Sequence, residues 1–594
     1  MFRKVLVANR GEIAIRVFRA LRELGVPSVA VYSEADRDAL FPRFADEAYL
    51  IGPGPATESY LHIPRILETA IKSGADAIHP GYGFLAENAA FARACESAGV
   101  TFIGPPPEAI EAMGSKTAAR KLMDAAGVPI VPGVTRGIDT VEEAGAIAEE
   151  IGYPVAVKAA AGGGGKGFRV ALEPAALQDA FEGARRESEK FFADSTVYLE
   201  RYLPDPRHVE IQILADRHGN TIHLGERDCS VQRRHQKLVE ETPSPVVSPG
   251  LRERMGEASV RAARAVGYHS AGTCEYLVSG EEFFFLEMNT RIQVEHTVTE
   301  MVCGIDLVRE QIRIAAGEPM SIAQDDVRPR GHAFECRINA EDASKRFLPA
   351  PAPIHAYREP TGPGIRVDSG VQAGSVIPDI YDPMIAKLIV WDADRETARR
   401  RMIRALDEYV IEGPVTLIPF HRWLFEQPEF IEGGTCHGLL AEMSEHPTPI
   451  PAPETAVTPP PAPEPADAEP VAERAITAEV NGKRFEVRLF VPESTLAAPA
   501  DGRGPARGKR KAPRKAAAVG ASGASGAVPS PMQGTVLKVL VELGQQVTAG
   551  DVICIVEAMK MENEVTAHAP GTVKELNVSE GQPVQADEVV AVLA

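Results

Sequence analysis

Several features are scarce in this 594-residue chain, and each shortage removes a class of protein. Its seven cysteines, at positions 95, 229, 274, 303, 336, 436 and 554, include no Cys-x-x-Cys pair, which argues against zinc or disulfide frameworks and for a reducing cytoplasm. No apolar run approaches the roughly 18–20 residues of a membrane span. The opening Met1-Phe2-Arg3-Lys4-Val5-Leu6-Val7-Ala8-Asn9 is too briefly hydrophobic for a signal peptide and reads as a first strand. Positive charge is in deficit: 63 Lys and Arg against 83 Asp and Glu leave a formal charge of −20, the wrong sign for a nucleic-acid surface. A Gly-x-Gly-x-x-Gly turn is also missing after that strand, where Asn9-Arg10-Gly11-Glu12-Ile13-Ala14 stands, so a dinucleotide site is unsupported.

What remains is ordinary globular composition, 44% hydrophobic and 25% charged, in a chain long enough for three or four domains. The first ~443 residues alternate strand and helix signals. A strand at Lys4–Ala8, a helix at Gly11–Leu24 and a strand at Val29–Tyr32 predict a parallel α/β opening domain. From Ser444 to Ile476 the sequence is rich in Pro, Ala and Glu and cannot bury a core. A short hairpin with an Asn481-Gly482 turn follows within 476–490. A second linker, Leu496 to Ala527, carries a basic patch (Arg503, Arg507, Lys509, Arg510, Lys511, Arg514, Lys515), either a solvated face or a contact for an acidic surface. Each linker, as a flexible coil, spans on the order of 30 Å.

The C-terminal end is internally duplicated. Gly534, Gly544, Val547 and Val552 recur with the same spacing, 37 residues later, as Gly571, Gly581, Val584 and Val589. Such half-units predict a small flattened β-barrel with quasi-two-fold symmetry. Its halves join at Glu557-Ala558-Met559-Lys560-Met561, which puts Lys560 at an exposed turn. That position suits a biotinyl lysine, a lipoyl lysine or an unmodified one.

Two further patterns carry chemistry. Pro154–Lys158, then Gly162-Gly163-Gly164-Gly165-Lys166-Gly167 and a return at Phe168–Ala171, form a glycine flap whose N–H groups can close on phosphates. It is no Walker loop, since Ala160 and Gly167 replace its first Gly and its Ser/Thr. In the hairpin from Gly272 to Glu295, a turn centred on Glu281 would set Glu275 opposite Glu287, with β-carbons roughly 5 Å apart. Facing carboxylates persist most cheaply around Mg²⁺ or Mn²⁺. Period-two alternation then predicts Glu287, Asn289, Arg291, Gln293 and Glu295 on one strand face, with Phe284, Leu286, Met288, Ile292 and Val294 packed on the other.

Lys116, Lys158, the glycine flap, Glu275, Glu287 and Asn289 together resemble an ATP-grasp fold. The runs His79-Pro80-Gly81-Tyr82-Gly83-Phe84-Leu85-Ala86-Glu87-Asn88, Arg233-Arg234-His235-Gln236-Lys237, Glu287 to His296 and Glu335 to Glu341 resemble biotin carboxylase. Ala558-Met559-Lys560-Met561 resembles a biotin carboxyl carrier domain. The whole chain therefore resembles the α subunit of an acyl-CoA carboxylase of the acetyl-/propionyl-CoA type. That resemblance implies a multidomain fold: an α/β pre-ATP-grasp domain (1–114), an α+β ATP-grasp domain (115–330, flap about 130–203) and a mixed C-terminal biotin carboxylase domain (331–443). A flexible linker (444–526) and an all-β flattened barrel of the biotinyl/lipoyl type (527–594) complete it.

It also implies roles. Biotin is amide-linked to Lys560, and Glu275, Glu287 and Asn289 hold Mg²⁺ or Mn²⁺, two ions in all, across the ATP phosphates. Lys116, Lys158, Gly163, Gly164, Gly165 and His208 contact the nucleotide phosphates and ribose, while Glu200 and the Leu203 backbone hold its adenine end. Arg291, Gln293 and the Val294 backbone seat bicarbonate, Lys237 neutralises the phosphorylated intermediate, Glu295 is general base and Arg337 stabilises an enolate oxygen. Tyr82 and His235 complete the cofactor side. Lys166 and Arg169 are as consistent with solvated as with functional groups, and Cys229 reads as a packed thiol. The implied partners are a biotin protein ligase and a separate carboxyltransferase β subunit that receives carboxybiotin and makes malonyl-CoA, methylmalonyl-CoA or a related product. No nucleic acid and no membrane is implied, and the body is expected to form a homo-oligomer within a larger α/β complex. The alternatives are a methylcrotonyl-CoA-type α subunit or another ATP-grasp ligase with a lipoyl-like carrier.

Overall fold

Short strands rich in apolar residues at the start of the chain need cover, and the central ones need it on both faces. Val5–Val7, Ser28–Ser33, Glu47–Gly52, Ala77–His79 and Thr101–Phe102 meet that need in a five-stranded parallel sheet, ordered third, second, first, fourth, fifth. The fold is that of a computed structural model. It describes residues 1–445 except 135, 160–167, 193–194 and 234–235; 471–492 except 481–482; and 526–594 except 531–533, 559–560 and 585–587. For 116–117, 190–192, 444–445, 471–492, 557–558 and 561–563 only the backbone is described.

The helix Gly11–Glu23 packs Ile13, Val17, Phe18 and Leu21 into the core that the first sheet shares with the next unit. After Ala77–His79 the chain turns through Gly81 and Gly83, both left-handed. A Cβ at Gly81 would lie 2.8 Å from the Asn9 amide. That amide donates to the carbonyls of Pro80 and Tyr82, each at 2.7 Å, and so fixes the loop carrying Tyr82. Asn88 caps the helix Ala89–Ser97 that follows.

The second sheet has eight strands, in the order Glu282–Asn289, Ser270–Ser279, Arg207–Ala215, Thr221–Arg233, Gln236–Thr242, His332–Asn339, Met384–Asp392, Ile365–Ser369, and every pairing is antiparallel. It runs without a break across residue 330, where the sequence suggested a boundary, because Gln236–Thr242 pairs with His332–Asn339. Val155–Ala159 lies between Phe168–Ala171 and Val197–Arg201 in a separate three-stranded flap sheet. The helices Val141–Ile151 and Leu177–Phe192 supply that sheet's apolar cover.

Between body and barrel, Val471–Val480 pairs with Lys483–Pro492 over ten positions. The hairpin is longer than the expected 476–490, so the Pro-rich linker ends earlier than Ile476; Pro451–Ala527 forms a unit of its own.

In the C-terminal region, two four-stranded sheets face each other. Gly534 pairs with Val584 and Gly571 with Val547, the same contact made twice about a pseudo-two-fold. Val536 and Val573, Val547 and Val584, and Ile553 and Val590 are equivalent core positions, all buried. Strands Val552–Ala558 and Met561–Thr566 flank residues 559–560, so Lys560 itself lies outside the described residues.

Candidate active site

Glu275 and Glu287 are register partners on neighbouring strands, as the sequence suggests, although by a different route. The turn is Gly280-Glu281, since Ser279 pairs with Glu282, and a regular ladder from there would set Glu275 against Leu286. A bulge between Glu275 and Tyr276 shifts the register by one residue. Leu286 is the supernumerary residue and stands 42% exposed, a correction to its expected place in the packed face beside Phe284. The alternation also stops early. The strand ends at Asn289, and Glu295 is not on a strand face but precedes the helix His296–Cys303 as its N-cap. The segment from Thr290 to Glu295 is thus a loop, and Arg291, Gln293 and Glu295 converge from it by tertiary contacts.

At the centre lies Lys237. Its Nζ donates to Glu210 at 2.6 Å, Glu295 at 2.7 Å and Glu275 at 3.0 Å. Burial alone would lower its pKa, but Cys229, Glu210, Glu295 and Glu275 hold it well above the ordinary lysine value. Glu295 is 2% exposed; burial pushes its carboxyl up, and Lys237, Arg337 and Arg227 outweigh that and keep it well below the usual range. Arg337 reaches Glu295 at 2.9 Å and Glu240 at 2.6 Å. Glu275 accepts from Lys237, from the Asn289 amide at 2.8 Å and from Gln293 at 2.7 Å, with His208 Nε2 2.8 Å away. Burial would raise it, yet Lys237 and His208 hold it ionised. Glu275, Glu287 and the Asn289 amide oxygen, which accepts from Arg291 at 2.8 Å, are oxygen donors of the hard kind that Mg²⁺ or Mn²⁺ takes. His208, Glu210 and Glu275 also offer ligand atoms within 4.8 Å of one another.

Several groups here escaped the sequence reading. Arg227 is wholly buried and donates to Glu210 at 2.5 Å, Gln212 at 2.6 Å, Gln293 at 2.8 Å, Thr299 at 3.0 Å and Thr273 at 3.2 Å. Glu87 binds Arg291 at 2.9 Å and the Thr290 N–H at 3.0 Å, tying the loop to the first unit. Only its position in the His79–Asn88 motif hinted at this. Cys229 is buried, and burial with Glu210 pushes its thiol well up, as befits a packed cysteine.

Of the residues expected to hold the nucleotide, Lys158 and Glu200 meet on neighbouring strands of the flap sheet. Lys158 bonds to Glu200, and Arg120 lies 3.6 Å from the same carboxylate. Leu203 packs with Val131, Phe284 and Leu277, an apolar slab suited to a base. Lys116 begins the helix Lys116–Ala125, where only its backbone is described. Gly163, Gly164, Gly165 and His235 lie outside the described residues. The Tyr82 hydroxyl donates to Glu12, on the side of the first unit. Among the described residues no helix is long and apolar enough to cross a membrane.

Comparison with known proteins matches four family profiles in order. Residues 1–110 match the biotin carboxylase N-terminal domain, 115–323 the carbamoyl-phosphate synthase L chain ATP binding domain, 335–442 the biotin carboxylase C-terminal domain and 526–593 a profile described as biotin-requiring enzyme. The biotin-dependent acyl-coenzyme A carboxylase alpha3 subunit of Mycobacterium leprae is 46% identical over 592 residues, covering 99% of this chain and 98% of that protein. A pyruvate carboxylase subunit of Methanothermobacter thermautotrophicus is 57% identical over 433 residues, 73% of this chain and 88% of that one. Among solved structures, the biotin carboxylase domain dimer of Hydrogenobacter thermophilus 2-oxoglutarate carboxylase, in complex with MgADP, ADP and bicarbonate, matches at 49% identity with a TM-score of 0.68. It covers 76% of this chain and 100% of its own.

Proposed function

We propose, from the premise that this chain belongs to the biotin-dependent carboxylases and is a biotin carboxylase with a biotin domain of its own, that it uses ATP and bicarbonate to load carbon onto biotin at Lys560 for a separate carboxyltransferase. The observation that carries this reading is the buried, ionised Glu295 held between Lys237 and Arg337.

An anionic base enclosed by cations is placed to take a proton from bicarbonate seated against Arg291 and Gln293. The bicarbonate oxygen then attacks the γ-phosphorus of ATP, ADP leaves, and carboxyphosphate forms. Lys237, already bridging three carboxylates, offers its charge to that trianion. Mg²⁺ or Mn²⁺, when held by Glu275, Glu287 and Asn289, supplies neutralisation of the ATP phosphates. Carboxyphosphate breaks down to carbon dioxide and phosphate, a step that requires water to be excluded, which is the role read for the flap. Biotin, when attached at Lys560, supplies the ureido nitrogen that captures the carbon dioxide. Arg337 would donate to the ureido oxygen of that group, Tyr82 would steady its ring, and phosphate would be the acceptor for the ureido proton.

An acyl-CoA carboxylase is favoured over a pyruvate carboxylase because the mycobacterial match runs through the carrier barrel, whereas the pyruvate carboxylase match covers 73% of this chain. The products read for the partner are malonyl-CoA, methylmalonyl-CoA or a related carboxyacyl-CoA. A biotin protein ligase modifies Lys560, the body self-associates, and the complex works in the cytoplasm.

Intact mass after co-expression with a biotin ligase tests the attachment: one biotin is expected, and none in Lys560→Ala. Bicarbonate-dependent ADP release stimulated by free biotin tests the chemistry. ATP cleavage indifferent to bicarbonate would overturn it.

A further inference from the structure

Lys387 has no place in the mechanism above, although it lies directly beside Arg337. It sits on the strand Met384–Asp392 as the register partner of Arg337 on one side and of Asp368 on the other. Its side chain is wholly inaccessible to solvent. Such a cation needs compensation, and the obvious source is Asp368. Yet Asp368 lies 3.9 Å from Nζ and is already engaged by Arg366 through two bonds of 2.9 and 2.8 Å. The nearest partner of Lys387 is instead the main-chain carbonyl of Val294, at 2.9 Å. Glu12, the acceptor for Tyr82, stands 3.5 Å away on the other side.

The preceding carbonyl is pinned as well. Gln293 O lies 2.8 Å from His296 Nδ1 and accepts from the His296 N–H at 3.3 Å. A carbonyl only accepts, so this ring nitrogen carries the proton. Burial, with Lys387 and Arg16 nearby, pushes the His296 pKa well down, so the ring is neutral. In a planar trans peptide the N–H points opposite to the C=O. Fixing these two oxygens on the helix side therefore turns the N–H groups of Val294 and Glu295 away from it. Neither N–H has an acceptor among the described residues.

We propose that Lys387 and His296 are positioning residues that hold two successive peptide units so that the N–H groups of Val294 and Glu295 together receive the bicarbonate anion. Lys387 also fixes Glu12, and through it Tyr82, so one buried cation sets the anion seat and the cofactor-side tyrosine in common register. The inference rests on the carboxylase reading given above.

Steady-state kinetics of the full-length protein test it, with bicarbonate, ATP and free biotin varied separately. Lys387→Met is expected to raise the bicarbonate KM about tenfold or more, on the scale of a lost charge-assisted contact, while the ATP KM stays within about twofold. Lys387→Gln, which keeps a donor for the Val294 carbonyl, recovers part of that loss. Glu12→Gln raises the free-biotin KM and leaves the bicarbonate KM alone. Should Lys387→Met fail to fold, His296→Leu against His296→Asn gives the same comparison, with only the asparagine retaining a donor. Equal shifts in bicarbonate and ATP KM, or no recovery with the donor-bearing variants, would overturn the positioning role. A wild-type protein without bicarbonate-dependent ADP release would instead overturn the function on which it rests.

Discussion

Glu295 and Arg337 lie 2.9 Å apart although 42 residues separate them, and each has a second buried partner of opposite charge, Lys237 and Glu240 respectively. The carboxylate is therefore both oriented and kept ionised. Glu295→Gln keeps the shape and removes the base, so kcat should fall by about 10²–10⁴-fold with little change in ATP KM. Because the Glu295 pKa is depressed despite burial, its contribution to stability is present above the unfolded value of 4.5 and is lost only as pH falls below that. An acid limb near pH 6–7 in bicarbonate-dependent ADP release that disappears in Glu295→Asp would contradict this assignment.

Arg227 anchors Glu210 and Gln293 from a site with no solvent access. Arg227→Met leaves the buried Glu210 to Lys237, which donates to it at 2.6 Å, and leaves Gln293 with Glu275 alone. Breaking a buried pair costs at most about 3–5 kcal/mol where the remaining charge keeps a second partner. The body should melt at a markedly lower temperature by circular dichroism, and the bicarbonate KM should rise in any fraction that remains folded. A melting curve unchanged from wild type would show that the guanidinium is dispensable.

How much of this was legible in the chain depends on whether the cause was local. The barrel's two-fold could be read because each half repeats its own glycines and valines at fixed spacing, and Gly534 and Gly571 make the same cross-contact. The Glu275–Glu287 pair could be read from the hairpin, but Leu286 could not be placed, since a bulge leaves no mark in an alternating pattern. Treating Thr290–Glu295 as continued strand failed for the same reason: alternation persists in the letters after the ladder has ended. Arg227, Glu210, Glu240 and Lys387 were passed over because their role comes from strands distant in sequence meeting in one sheet. A buried Arg in a strand looks, in sequence, like any exposed one.

Glu341 offers a test of pH linkage away from Glu275 and Glu287. Burial raises its carboxyl to about 7 from 4.5, against bonds from Gln236 at 3.3 Å and Asn339 at 3.2 Å. The folded protein then binds a proton that the unfolded chain has released, so stability is greatest below pH 4.5 with respect to this group and declines as pH rises through 7. Glu341→Gln keeps both bonds and removes the ionisation. It should stabilise the body at pH 8 by roughly 3 kcal/mol, taking about 1.36 kcal/mol per pKa unit, and leave stability at pH 5 nearly unchanged. A stabilisation of equal size at both pH values would mean that ionisation is not its origin.

The barrel's symmetry makes a quantitative claim of its own. Gly544 and Gly581 occupy equivalent turns with φ of +86° and +82°, and at neither would a Cβ meet any atom within 4 Å. Packing is therefore removed from the comparison, and what remains is the backbone cost of a left-handed conformation, about 1–2 kcal/mol for an L-residue. Gly544→Ala and Gly581→Ala should therefore lose similar local stability. Hydrogen exchange over the barrel peptides of the full-length protein reads that quantity directly. The N–H of Gly544 bonds to Val573 O and that of Gly581 to Val536 O, so each turn belongs to one half and braces the other. Protection should consequently fall in both halves in either variant. Loss confined to the mutated half would mean that the duplicated units fold independently, and the carrier would then be two stacked hairpins and not one cooperative barrel.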